Sequence, residues 1–274
     1  MATPQTPALD FSAIKARQQK VWSTGNYSLV GNTLVIISEQ LAESADVHAG
    51  DRVLDVATGN GVTALAAARR FGEVTGIDYV PALLDDARQR AAAEHLPITF
   101  QEGDAENLPF ADASFDVVLS TLGVMFTPNQ EKAASELLRV ARSGGKVGLA
   151  SWTPSGYIGQ LFRLIGKYAP PPAGLKPASL WGTEERLRDL FGDGIASLQT
   201  TKRNFVFRYR SAAHWVEYFA AYYGPFQSTL TSLDAATQEQ FSREVTSLLE
   251  SLNQAKDGTL VVPSEYLEAI AIRR

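Results

Sequence analysis

The sequence predicts an α/β fold built on a doubly wound, mostly parallel sheet, with helices ahead of it and a helical insertion near its end. Three observations predict it. Short apolar strands alternate with helical segments from about residue 52 to 151, the pattern of successive βαβ units. The fourth of these strands, Phe115-Asp-Val-Val-Leu-Ser120, is nearly all apolar, as a strand covered by helices on both faces must be. A glycine-bearing turn, Thr58-Gly-Asn-Gly61, joins the first strand directly to a helix.

Taken in order, residues 11–42 read as helices broken near 23–26, with Leu34, Ile37 and Leu41 returning at helical spacing. His48-Ala-Gly-Asp51 is a turn before a strand at 52–57. A helix follows at 62–70, its Arg69 and Arg70 suited to the negative end of the helix dipole. The second strand is 73–78. The next helix, 81–94, has Pro81 in its first turn, where the missing N–H is no loss. A third strand is predicted at 98–101, the fourth at 115–120, a helix at 131–140 and, after Gly144-Gly145, a fifth strand at 146–151.

Beyond Trp152 the alternation loosens. Helices are expected at 158–168, ending in three prolines, and at 183–191 with Thr183 as N-cap. Residues 204–210 alternate like a strand and 266–274 form a last one, bringing the sheet to seven. Between them, helices at 212–223 and 235–254 make the insertion, the second with Phe241, Val245, Leu248 and Leu252 on one stripe. The chain thus divides into a helical lead-in or lid (1–45), a ligand-binding core (46–152) and the remainder of the sheet (153–274) with its insertion, about 212–254.

Composition narrows the function. The chain has 274 residues and no cysteine, which excludes disulfides, cysteine-ligated metals and thiolate nucleophiles. Its start lacks the apolar core of a signal peptide, and no segment has the roughly 20 apolar residues of a membrane span. A cytoplasmic location is the default expectation. Net charge is −5 with Lys and Arg scattered, so nucleic acid is not an expected partner. The small cluster Lys15, Arg17 and Lys20 reads as the solvated face of an N-terminal helix.

The informative segment is Asp55-Val-Ala-Thr-Gly-Asn-Gly61. It lies at the carboxyl end of the first strand, where open α/β sheets bind ligands. Glycines 59 and 61 let backbone approach a ligand closely, and the N–H groups of a helix start favour an anion. Asp78, closing the second strand, is placed to accept hydrogen bonds from ribose hydroxyls. Alone, this loop also satisfies the dinucleotide fingerprint G-x-G-x-x-G/A, so a nicotinamide-dependent oxidoreductase stays open at this point.

The wider chain separates the two. Residues 52–150 resemble the class I S-adenosylmethionine (SAM)-dependent methyltransferases, particularly the ubiquinone/menaquinone-biosynthesis-like (type 11) group. The resemblance lies in VLDVATGNG, VTGIDYV, EGDAENLPFADASFDVVLS, ELLRVARSGGKV and a preceding WSTGNY. It implies a Rossmann-like methyltransferase fold, SAM as cofactor and S-adenosylhomocysteine (SAH) as product. It further implies that Asp55 orients the amino end of the methionine moiety, with Ala57, Thr58, Gly59 and Gly61 along the cofactor. By the same resemblance Asp78 holds the ribose, Tyr79 lies beside the adenine, Asp104 and Ala105 meet its edge, Glu106 lies nearby and Ser120 comes close to the sulfonium. The chain departs from many relatives at Thr58 and Asn60, where they carry cysteine and threonine, and at Ser143, where proline precedes the GG turn.

Methyl transfer from a sulfonium is an in-line displacement needing alignment and no metal, and a general base only for a protonated, weakly acidic nucleophile. His48 and His95 lie on the wrong side for that role, leaving His214 as the candidate base. Trp22 and Tyr27 in the lead-in, and Trp215, Tyr222 and Tyr223 with their aromatic neighbours, are candidates to cap the cofactor or line a substrate pocket, although core packing suits the later group as well. Where the resembling enzymes usually close the last two strands in a hairpin, this chain inserts helices, read as a cap for substrate recognition. The Asn/Asp-Pro-Pro-aromatic signature of nucleic-acid amine methylation is replaced by Ser120-Thr-Leu-Gly123. The expected activity is methylation of an O, N or C atom of a small molecule. The alternative is a SAM-binding protein of the same fold with a non-methylating role, a cyclase or regulatory subunit.

Overall fold

The computed structural model describes residues 9–274; residues 1–8 of the predicted lead-in lie outside the described residues. The chain opens with α1 (Phe11–Trp22), α2 (Tyr27–Gly31), a 3-10 turn and α3 (Val35–Ser44). The core then runs β1 (Arg52–Val56), α4 (Val62–Ala68), β2 (Glu73–Asp78), α5 (Pro81–Ala93), β3 (Thr99–Glu102), β4 (Phe115–Thr121), α6 (Gln130–Val140) and β5 (Ala141–Trp152). After α7 (Tyr157–Tyr168) and α8 (Glu184–Phe191) come β6 (Ile195–Tyr209), α9 (Ala212–Tyr222), α10 (Gly224–Thr231), α11 (Ala235–Leu252) and β7 (Leu260–Arg273).

The seven strands form one sheet in the order β3-β2-β1-β4-β5-β7-β6. The first five are parallel, with Val53 opposite Val74 on one side and Val117 on the other. β7 inserts antiparallel between β5 and β6. The order reverses between β1 and β4, both of which are buried almost throughout. Reversal points leave a crevice at the carboxyl ends of the strands, and the ends of β1, β2 and β4 meet there.

The last two strands exceed the sequence expectation. β6 begins at Ile195, nine residues before the alternation becomes apolar, because its first half is a polar sheet edge whose only neighbour is β7. β7 begins at Leu260, ahead of Pro263. Its pairing with β5 starts only at Tyr266, so the proline stands where the strand is bordered on one side, a position sheets tolerate. The insertion holds a third helix, α10, that the periodicity does not announce. In α11 the buried stripe is Phe241, Val245 and Leu249, not Leu248, which is half-buried. Thr183 caps α8, its hydroxyl accepting from the Arg186 N–H at 3.3 Å. No described helix is long and apolar enough to cross a membrane.

Candidate active site

The turn after β1 is shaped by backbone conformations that most side chains avoid. Ala57, Gly59 and Gly61 all have positive φ, and so does Leu122 at the end of β4. Two non-glycine residues in the left-handed region on adjacent strand ends are stored strain of the kind that gathers at functional sites. Gly123 lets them sit together: a Cβ there would stand 2.6 Å from the Ala57 carbonyl oxygen.

Two carboxylates organise the turn from below and from the side. Asp55, 1% exposed, accepts from the Ala64 N–H at 2.9 Å and the Thr58 hydroxyl at 2.5 Å. Burial pushes it up to about 7. Asp78, 5% exposed, accepts from the N–H groups of Gly59 and Val80, both at 2.9 Å. Burial raises it to about 6, against the lowering effect of those N–H donors. Two lone pairs per oxygen leave Asp78 capacity for further donors.

A cleft opens over these residues at the carboxyl ends of β1, β2 and β4, where open α/β sheets bind ligands. Of the residues implicated by sequence, Ala57, Thr58, Gly59, Asp78, Tyr79, Asp104, Ala105, Trp22 and Tyr27 line it. Asp55, Gly61, Glu106 and Ser120 stand behind that lining, next to residues that form it, and Asp55 Oδ1 is buried without a partner among the described residues. Asp55 braces the turn from underneath. Gly61 starts α4, where a Cβ would meet Ala87 at 3.0 Å. Glu106 accepts from the Asn129 N–H at 2.7 Å. Ser120 ties β4 to β1, donating to the Val56 carbonyl at 2.7 Å and accepting from the Val124 N–H at 3.0 Å.

The substrate-side candidates separate likewise. Tyr223 is buried beside Trp22 and Tyr27, with ring centroids 5.7 and 6.4 Å away. Trp215 is core, stacked on Phe219 at 3.8 Å. Tyr222 packs on Tyr218 and uses its carbonyl to hold the Asn26 N–H. His214 falls outside the cleft: it sits in the first turn of α9 in a separate groove with Thr33, Ile36 and Tyr218, its Nδ1 facing the Arg210 N–H at 3.4 Å. A histidine fixed in that groove cannot serve the cleft as a base.

The lead-in, expected to cap the cofactor, borders the cleft through polar residues that sequence reasoning did not single out for it. Lys15 is not a solvated cation: its ammonium reaches Asp104 at 2.5 Å and Glu106 at 3.0 Å. Gln18 donates to the Phe126 carbonyl at 3.0 Å, and Gln19 donates to the Tyr79 carbonyl. With Trp22, these residues recur at helical spacing on one face of α1, a signal available in the sequence. Thr121 and Leu122, also missed, line the cleft, and the Thr121 hydroxyl is buried without a partner among the described residues. Trp22 packs edge-on against Tyr27 at 5.5 Å and Phe126 at 5.1 Å. Burial and the nearby Asp78 raise Tyr27 to about 12.

Comparison with known proteins agrees with this architecture. Residues 54–149 match the family described as Methyltransferase domain. Over 99% of this chain and 100% of its own length, Uncharacterized protein Rv1405c of Mycobacterium tuberculosis is 36% identical. Demethylmenaquinone methyltransferase of Deinococcus radiodurans is 42% identical over 137 residues, 48% of this chain and 57% of that one. The crystal structure of YcgJ protein from Bacillus subtilis superposes with a TM-score of 0.62 at 22% identity, covering 86% of this chain and 98% of that one. The chain belongs to the class I SAM-dependent methyltransferases, of the ubiquinone/menaquinone type.

Proposed function

We propose that the protein transfers a methyl group from SAM to a small-molecule acceptor by in-line displacement. The observation that carries this reading is Asp78: a buried carboxylate fixed by two backbone N–H groups, lining a cleft that Gly59 also lines. The residues fit the cofactor. A Cβ at Gly59 would project toward the Tyr27 ring, 3.6 Å away, so the glycine keeps a narrow slot open. The Thr121 hydroxyl, without a partner among the described residues, offers a further polar group in the lining.

In this reading Asp78 takes the ribose hydroxyls, Tyr79 lies along the adenine, and Asp104 with Ala105 meets its edge. The Ala57–Gly59 backbone and Thr121 border the methionine moiety. Bound SAM supplies a methyl group on a positively charged sulfur. The chain's own residues align and dehydrate. Trp22, Tyr27 and Phe126 wall the reacting end with aromatic surface, and α1 closes the mouth through Lys15, Gln18 and Gln19. Proximity and orientation can lower a barrier by roughly 7–11 kcal/mol without an acid or base.

Calorimetric titration with SAM, SAH and NADH in parallel tests this. Binding of both adenosyl compounds and silence with NADH is the expected result. Heat with NADH alone would mean that the glycine turn serves a different cofactor.

A further inference from the structure

Next to the cleft lies an aromatic compartment walled by Trp22, Tyr27, Phe126, Trp152, Phe162 and Tyr223 with aliphatic residues between them. Trp22, Tyr27, Leu122 and Phe126 border both spaces. Among the described residues no carboxylate, imidazole, amine or guanidinium lines the compartment; its polar side-chain groups there are two phenol hydroxyls and two indole N–H groups. Burial raises Tyr27 to about 12 and Tyr223 further, so both stay protonated and neither removes a proton near neutrality. An alcohol or an ammonium arriving here finds no base.

The approach to the compartment carries a second observation. Trp22, Phe126, Phe162 and Tyr223 also line an outer groove whose charged residues, among those described, are Arg17, Arg163 and Lys176, with no carboxylate beside them in its lining. On a chain of net charge −5, this is a local reversal of sign that favours the approach of an anion. Lys176 shares Glu131 with Arg186, whereas Arg17 and Arg163 form no ion pair among the described residues. The titratable groups nearest the path are these three cations, Glu131 on Lys176, the two tyrosines, and Lys15, Asp78, Tyr79 and Asp104 in the cleft.

We propose that the methyl acceptor is an apolar organic acid that arrives as its anion through this groove and takes the methyl on its ionised oxygen or sulfur. The inference rests on the methyltransferase reading above. The acid loses its proton to water before it binds. Its lone pair forms the new bond to the methyl carbon as the methyl–sulfur bond breaks, and that bonding pair stays on the cofactor sulfur. A cation and an anion become two neutral products, and no proton remains for the protein to handle. Apolar walls favour such charge neutralisation, because attraction between opposite charges grows as water is excluded.

The test uses the full chain with SAM and three acids, 4-nitrophenol, benzenethiol and cinnamate, with benzyl alcohol and benzylamine as comparators. Products are read by mass spectrometry, and binding to the SAH-loaded protein by calorimetry. At least one acid is methylated, with kcat/KM following that acid's own ionised fraction, and it binds at least about tenfold tighter than benzyl alcohol. The acid that reacts distinguishes phenol, thiol and carboxyl acceptors. The double variant Arg17→Gln, Arg163→Gln lowers kcat/KM for the anion several-fold at low salt only and leaves SAH affinity unchanged. Preferential methylation of benzylamine or benzyl alcohol, or failure of all three acids to bind the SAH-loaded protein, overturns the inference while the methyltransferase reading stands. Failure of SAH itself to bind overturns both.

Discussion

Replacing Asp78 with asparagine gives a sharp test of the cofactor site, because affinity and pH dependence must change together. In the wild type both carboxylate oxygens already accept a backbone N–H at 2.9 Å, so the side chain is oriented before any ligand arrives. Hydrogen bonds to a charged group contribute about 1.5–3 kcal/mol each. Losing charge at a site that takes ribose hydroxyls should therefore weaken SAH by at least about tenfold, or about 1.4 kcal/mol. Burial holds Asp78 at about 6. The binding-competent carboxylate is then nearly fully ionised at about pH 7.5 but only about a tenth ionised at about pH 5, so wild-type affinity should fall about tenfold between them. The asparagine variant should lack that step. Calorimetry with SAH across this range is the assay. A variant that binds SAH as tightly as the wild type, or that keeps the same step centred near 6, would refute the placement of Asp78 at the ribose.

Four further outcomes are expected. Gly123→Ala should destabilise the fold by about 1–3 kcal/mol in urea unfolding, since its Cβ meets the Ala57 carbonyl oxygen at 2.6 Å in a turn with no room to relax. Lys15→Ala should release SAH at least about fivefold faster in stopped flow, because α1 loses its ties to Asp104 and Glu106 and lid opening governs ligand exit. Asp55, raised to about 7 by burial, binds more protons folded than unfolded between its ordinary range and 7. Its contribution to stability is full below that window and is lost as pH rises through it, so Asp55→Asn should gain on the wild type in thermal stability from about pH 5 to about pH 8. His214→Ala should leave SAH affinity and turnover within about twofold, as expected for a group that meets neither substrate nor cofactor; a loss beyond tenfold would return the histidine to the chemistry.

The site was legible in the sequence wherever its residues are contiguous. Ala57 to Gly59, Asp78 with Tyr79, and Asp104 with Ala105 each sit at the end of a strand that alternation and apolar runs locate, and strand ends of a parallel sheet converge by geometry. Side-chain direction was not legible. Asp55 and Ser120 lie on the strands the sequence indicates and bond to the neighbouring turn and strand, while Asp55 Oδ1 stays unpaired among the described residues. Lys15 carries the composition of a solvated face, yet its partners are 89 and 91 positions away.

The sequence by itself determined the sheet, its glycine turn and the acid at the end of β2, because strand and turn propensity act over a few residues and a parallel α/β sheet has few topologies open to it. Only the tertiary structure decided which residues hold the lead-in against the cleft and which aromatic residues gather beside it. Trp22, Phe126, Phe162 and Tyr223 come from a lead-in helix, the turn after β4, α7 and the inserted helices. No local rule links segments so far apart; they meet because each buries an apolar face against the others, and burial is non-directional until the chain has closed around it.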